Sequence, residues 1–179
     1  QVMDRADDVI VEGRDRVRDL RAAAPQSTQE LPDAFARLGN ELAQQHPANF
    51  GVVVEGKLHP MDAMVRDEVF WIGREALVNA FRHAGARRID VEISSDAGQV
   101  AFRFRDDGQG IADDVQLRGH RSGHWGLSGM RERARGIGAQ LNVWSRPGNG
   151  TEVELLLPRP DRSGPPLRFW RRRKIEVES

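Results

Sequence analysis

Two pairs of neighbouring runs in this chain alternate apolar and polar residues with a period of two, and runs of that kind bury one face and expose the other. Residues 88–95 and 100–106 are one pair, joined by Asp96-Ala97-Gly98-Gln99. Residues 140–145 and 151–157 are the other, turned by Pro147-Gly148-Asn149-Gly150. Each pair predicts a hairpin whose apolar face must be covered. The chain offers helices for the purpose. Residues 31–46 place Leu31, Ala34, Phe35, Leu38 and Leu42 on one side and stop at His46-Pro47, because the residue before a proline is pushed out of helical geometry. Residues 62–84 carry Val65, Val69, Ile72, Ala76 and Leu77 on one face, and residues 127–135 predict a shorter helix. Val52-Val53-Val54 adds a strand. The expected fold class is α/β: a two-layer sandwich of helices on a mixed, mainly antiparallel sheet over residues 31–158, preceded by one long helix.

That preceding helix is predicted over residues 2–24. Met3, Ala6, Ile10, Gly13, Val17, Leu20 and Ala24 recur three and four apart, a heptad seam amid charged positions. Such a seam belongs either to a surface helix packed on its own domain or to a helix of a dimeric bundle. The bundle is the expectation, because residues 25–30 separate the helix from the α/β region in the manner of a linker. Beyond residue 158 the chain changes character: Pro160, Pro165 and Pro166 precede the basic run 168–174. A basic aromatic run can touch nucleic acid or anionic lipid, but it is more often a solvated end, so residues 159–179 are expected to form a flexible tail with no direct nucleic-acid partner. Lys plus Arg and Asp plus Glu both total 27, so no global field draws the chain to a polyanion. The chain holds no cysteine, which excludes thiolate catalysis and cysteine-ligated zinc. Its longest apolar stretches fall far short of a bilayer span.

Three further segments carry chemistry. Glu75, Asn79 and His83 are spaced four apart and so share one stripe of the long helix. Polar groups on a core-facing stripe need partners, and a hydrogen-bonded amide with a satisfied histidine is the plain reading. The alternative is a nucleotide site. A hydrated Mg²⁺ takes oxygen ligands and keeps several waters, so one amide oxygen plus substrate phosphates is a workable shell, with Arg82 and His83 placed to meet phosphate charge. Asp106-Asp107-Gly108-Gln109-Gly110 ends a buried strand. Asp-Gly is common turn chemistry, but no paired strand comes next, and a carboxylate at a strand end can accept from an exocyclic amine while Gly108 and Gly110 leave room for a flat ring. Residues 123–129 present Gly123, Gly126 and Gly129 at the start of a helix, where backbone N–H groups suit phosphate; the pattern is neither a Walker A loop nor a dinucleotide fingerprint. Residues 107–125 hold four glycines and little periodicity, and predict a mobile loop.

In this order and spacing the segments resemble the N, G1 and G2 boxes of sensor histidine kinases. Residues 75–84 are similar to the N box, Asp106-x-Gly108-x-Gly110 to the G1 box, and Gly126-Leu127-x-Gly129-Met130-Arg131-Glu132-Arg133 to the G2 box of the branch that phosphorylates response regulators with a helix-turn-helix output domain. The resemblance covers about residues 31–158 and implies the Bergerat ATP-binding fold. It implies ATP and Mg²⁺ as cofactors. Asn79 would ligate the metal and Glu75 would orient a water or the metal shell, these two being the catalytic pair. Arg82 and His83 would lie near the phosphates, Asp106 would bond the adenine amine with Thr151 beside the same ring edge, and Gly126, Leu127 and Gly129 would border the triphosphate. It also implies a homodimeric full-length protein, a response-regulator partner and a cytoplasmic domain in a protein that can be anchored in the membrane.

One departure matters. The family's phosphoacceptor histidine is usually followed by an acidic residue, and the five histidines here precede Pro47, Pro60, Ala84, Arg121 and Trp125. The helix at 2–24 therefore resembles the second helix of a phosphotransfer hairpin, and the chain is expected to be a C-terminal kinase fragment unable to phosphorylate itself. Two other readings stay open: a different Bergerat-fold ATPase with Glu75 as base, and a nucleotide-gated interaction module without transfer activity.

Overall fold

The computed structural model describes residues 24–96, 98–111 and 125–158. The expected helix at 2–24, most of the glycine-rich loop (residues 112–124) and the tail at 159–179 lie outside the described residues. Within them, helices α1 (Leu31–Ala43), α2 (Ala63–His83) and α3 (Trp125–Gly136) cover strands β1 (Asn49–Glu55), β2 (Arg88–Ser95), β3 (Gln99–Asp106), β4 (Gln140–Ser145) and β5 (Thr151–Pro158). The strands form one sheet in the order β1-β2-β3-β5-β4. β1 runs parallel to β2, with α2 as the crossover, and every other pairing is antiparallel.

The period-two pattern sets which face meets the helices. Ile89, Val91 and Ile93 of β2, Phe102 and Phe104 of β3, and Val153, Leu155 and Leu157 of β5 are all buried. They share one core with Leu31 and Phe35 of α1, Val69, Ile72 and Leu77 of α2, and Met130 and Ala134 of α3. Phe35 stands at its centre, its ring 5.3 Å from that of Phe104 and 5.9 Å from that of Phe70. The helices reach this depth because α2 carries Gly73 where it passes Phe35 and Phe104; a methyl group there would overlap both rings. The opposite face of the sheet is charged. Arg103 bridges Glu92 (2.9 Å) and Glu154 (2.8 Å), and Arg105 reaches Glu152 at 2.9 Å. Cross-strand pairs of opposite sign satisfy the long side chains without apolar cover.

Residues 25–30, expected as a linker, carry a docked turn. Thr28–Glu30 is a short 3-10 helix, Pro25 and Thr28 are buried, and the Thr28 hydroxyl accepts from the Met61 N–H at 2.8 Å. Arg66 donates to the Gln26 carbonyl at 2.7 Å. The chain therefore reaches α1 already fixed to the segment that leads into α2. Among the described residues no helix is long and apolar enough to cross a membrane.

Candidate functional site

Helix α2 starts at a capped end, with the Asp62 carboxylate accepting from the Met64 N–H at 2.9 Å, and it finishes with Arg82 and His83 in its last turn. The Arg82 guanidinium thus stands at the negative end of the helix macrodipole, where a cation is favoured. The Arg82 and His83 side chains are both exposed. Between the two ends lie Glu75 and Asn79, each partly buried, with the Asn79 amide donating to Glu75 Oε1 at 3.2 Å. Committing the NH₂ group in this way leaves the amide oxygen as the group that Asn79 can present to a cation.

Gly126, one residue into α3, lies directly against that pair. A methyl group on it would overlap Glu75 Oε1 and sit 3.3 Å from Asn79 Nδ2. The backbone of one glycine-bearing segment thus touches the polar stripe of another, although 47 positions separate Asn79 from Gly126 in the sequence. Gly129 meets no other described group at its Cβ position, and Leu127 packs partly buried against the hydrophobic core, so its observed contact is structural. The arginines of α3 divide: Arg133 pairs with Glu68 of α2 at 2.9 Å, while Arg131 and Arg135 are exposed.

The remaining residues gather at the end of β3. Asp106 and Thr151 are directly opposite one another on β3 and β5. Asp106 Oδ1 accepts from the Gly108 N–H at 2.9 Å and from the Thr151 N–H at 3.3 Å. Burial nevertheless dominates, and it holds the Asp106 carboxyl above the usual carboxylate range against the pull of those two N–H groups. Its neighbour Asp107 behaves in the opposite way. It is exposed, and the N–H groups of Arg88 and Arg87, both 2.8 Å from its Oδ1, hold its pKa below the usual range. Asp107 therefore adds stability at neutral pH that disappears as the pH falls through its lowered pKa, whereas the buried charge of Asp106 opposes folding at neutral pH. Two adjacent carboxylates with opposed shifts have different tasks: Asp107 clamps the turn onto β2, and Asp106 is kept as a half-buried acceptor.

The two glycines of this segment answer to the protein itself. A side chain at Gly108 would strike the Ala84 backbone at the end of α2, and one at Gly110 would strike the Arg146 carbonyl. Both glycines therefore permit close backbone approach, which at Gly108 brings the segment under the end of α2. Gln109 fastens it there, its N–H donating to the Ala84 carbonyl and its side-chain amide to the His83 carbonyl, at 2.8 and 2.7 Å. The part of His83 held in this way is its backbone; the imidazole remains exposed. Asp107, Gln109 and Ser145 leave no local signal in the sequence, because Arg88, His83 and Ile111, which they hold, lie far along the chain.

The arrangement offers a half-buried carboxylate and a hydroxyl at one end and an amide–carboxylate pair against a helix start at the other, with basic residues at the end of α2. Among the described residues no group of three or more His, Asp or Glu could hold a metal by itself, so a divalent cation here would draw its other ligands from water and from a bound phosphate.

Comparison with known proteins agrees with this inventory. A family profile described as histidine kinase-, DNA gyrase B- and HSP90-like ATPase matches residues 64–161. The sensor histidine kinase YdfH of Bacillus subtilis is 32% identical over 108 residues, covering 59% of this chain and 26% of YdfH. The sensor protein VraS of Staphylococcus aureus is 34% identical over 94 residues, covering 52% of this chain and 26% of VraS. The match thus spans about a quarter of the length of these curated relatives. The histidine kinase domain of a blue-light activated histidine kinase from Erythrobacter litoralis superposes with a TM-score of 0.60 at 25% identity, covering 72% of this chain and 64% of that one. The catalytic domain of histidine kinase ThkA, at 17% identity, shares the fold with a TM-score of 0.60 over 74% of this chain and 93% of its own.

Proposed function

The chain belongs to the histidine kinase-, DNA gyrase B- and HSP90-like ATPase family and carries that family's ATP-binding domain, and we propose that it serves as the catalytic domain of a two-component sensor histidine kinase. In this reading residues 31–158 bind ATP with Mg²⁺ and deliver the γ-phosphoryl to a histidine on a separate phosphotransfer hairpin. The observation that carries the reading is the contact of Gly126 with the Glu75–Asn79 pair. It puts an amide oxygen beside backbone at a helix start, the combination that a metal-bound triphosphate needs. Bound Mg²⁺ would neutralise phosphate charge as it shifts during transfer. This chain's own residues supply position: Asn79 for the metal, Glu75 to hold the Asn79 amide and a water of the metal shell, Arg82 and His83 for phosphate charge, Asp106 and Thr151 for the adenine edge.

The reading extends to partners. The full-length protein would be a homodimer with this domain in the cytoplasm, and would pass its phosphoryl group to a response regulator with a helix-turn-helix output domain. The support is the run Gly126-Leu127-x-Gly129-Met130-Arg131-Glu132-Arg133 together with the sensor-kinase relatives.

Asn79→Ala is the test. Only a partly buried amide and its bond to Glu75 are lost, so the fold should persist. Nucleotide titrations with and without Mg²⁺ should show the metal strengthening binding in the wild type and not in the variant. Equal Mg²⁺ enhancement in both would reduce Asn79 to a structural amide.

A further inference from the structure

Ser145 ends β4 and stands opposite Thr151, which in turn stands opposite Asp106. The three side chains form one rung across β4, β5 and β3. The Ser145 hydroxyl does more than continue the rung. It accepts from the Ile111 N–H at 2.7 Å, donates to the Gly150 carbonyl at 3.1 Å, and lies 3.1 Å from the Thr151 hydroxyl. Ile111 is 34 residues from Ser145 in sequence. One hydroxyl therefore ties the far end of the Asp106–Ile111 segment to the turn that introduces Thr151. The backbone adds a second strap nearby, because the Gly150 N–H donates to the Gly108 carbonyl and the Gly148 N–H to the Gln109 carbonyl, both at 2.8 Å.

The geometry points to Ser145 as a positioning residue for recognition of the adenine base, an inference that rests on the nucleotide reading above. Asp106 and Thr151 are the two polar side chains assigned to the base edge. Asp106 is oriented by the Gly108 and Thr151 N–H groups, and the Thr151 hydroxyl is oriented by Ser145. The backbone straps can fix where the two strands lie, but they do not set the direction of a hydroxyl. Hydroxyl groups rotate to suit their neighbours, so without Ser145 the Thr151 hydroxyl is left to Asp106 alone, where it competes with a bound amine for the carboxylate, and the Ile111 N–H loses its acceptor. An acceptor pair held in one geometry discriminates between a base edge that donates and one that does not; a loose pair discriminates less, because the unpaired alternative is no longer penalised.

The test compares ADP with IDP, whose hypoxanthine base carries a carbonyl where adenine carries its amine. Calorimetry on the wild type should show a preference for ADP. Ser145→Ala should weaken ADP binding about tenfold, the loss of roughly one well-placed hydrogen bond, while changing IDP binding by less than about twofold. Ser145→Thr, which keeps the hydroxyl, should restore the preference. A purely structural role would lower both affinities together, and that result, or an unchanged preference in Ser145→Ala, overturns the proposal. Should Ser145→Ala unfold, Ser145→Cys fills a similar volume with a weak hydrogen-bonding group and reads the same loss. Amide exchange of the nucleotide-free chain supplies the second readout: Ile111 should exchange at least about tenfold faster in Ser145→Ala while Gly108, held by Asp106, changes less than about twofold. Unchanged exchange at Ile111 removes the tether. A wild-type chain that binds no ADP sinks the nucleotide reading and the specificity role with it, whereas the exchange result still says whether the tether exists.

Discussion

Gly150→Ala should destabilise the domain by about 2–5 kcal/mol, and Gly138→Ala by only about 1–2 kcal/mol. Both glycines have positive φ, +70° and +68°. An L-residue in that region costs about 1–2 kcal/mol, and this is the whole effect expected at Gly138, where an added methyl group meets nothing within 4 Å. At Gly150 the methyl group runs into the Asp106 carbonyl, with the Asp106 carbonyl carbon at 2.8 Å and Asp107 Cα at 3.0 Å. Backbone cannot swing aside as a side-chain tip can, and overpacking of this kind typically adds about 1–3 kcal/mol. The strain falls where Gly150 donates to Gly108 and accepts from Ser145, so nucleotide binding should fail together with stability. Urea unfolding of the two variants decides the matter; equal midpoints would mean that the turn yields and that its contact with Asp106 is not rigid.

Asp106→Asn should separate stability from binding. Because burial raises the Asp106 pKa, the folded state holds the neutral carboxyl more comfortably than the charged one. The raised value sets the sign: the stability contributed by this group is complete below the ordinary carboxylate pKa and is lost as the pH rises through the raised one. An uncharged isostere at neutral pH should therefore unfold no earlier than the wild type, its side-chain oxygen still accepting from Gly108 and Thr151. Binding runs the other way. The ionised carboxylate is the better acceptor for an amine, so the variant should lose about 1–3 kcal/mol of adenine-nucleotide affinity, roughly a 5- to 150-fold weakening. In the wild type the affinity should fall as the pH drops through the raised pKa of Asp106, and the variant should lack that step. Calorimetry across the pH range checks both claims; equal affinity of wild type and variant for ATP would remove Asp106 from the base edge.

The parts of the fold that were legible in the sequence are those in which one period dominates. Both hairpins, the three helices of the described residues and the mixed sheet agree with the alternation of Ile89, Val91 and Ile93 and the spacing of Val69, Ile72, Ala76 and Leu77. Edge strand β1 was only partly legible, as Val52-Val53-Val54, because its Val53 and Val54 are 56% and 44% exposed and the strand takes its full length from pairing with β2. Strand order was not legible. β5 lies between β3 and β4 through long-range pairing that leaves no local trace. The site divides in the same way. Glu75 and Asn79 are adjacent on a helix face and can be read from spacing alone. That Gly108 and Gly110 serve the end of α2 and Arg146, that Asp107 clamps β2, and that Ser145 holds Ile111 all depend on partners 19 or more residues away.

The central claim is transfer of a phosphoryl group to histidine. The five histidines of this chain lack the acidic neighbour of an acceptor, so the chain incubated with γ-labelled ATP and Mg²⁺ should stay unlabelled. Supplied with a separate phosphotransfer hairpin carrying an acceptor histidine, the same chain should place acid-labile, base-stable phosphate on that hairpin, and Asn79→Ala should abolish it. Label on a histidine of the isolated chain would overturn the expectation that the acceptor lies elsewhere, and steady ATP hydrolysis with no label on the supplied hairpin would contradict the account and point to an ATPase.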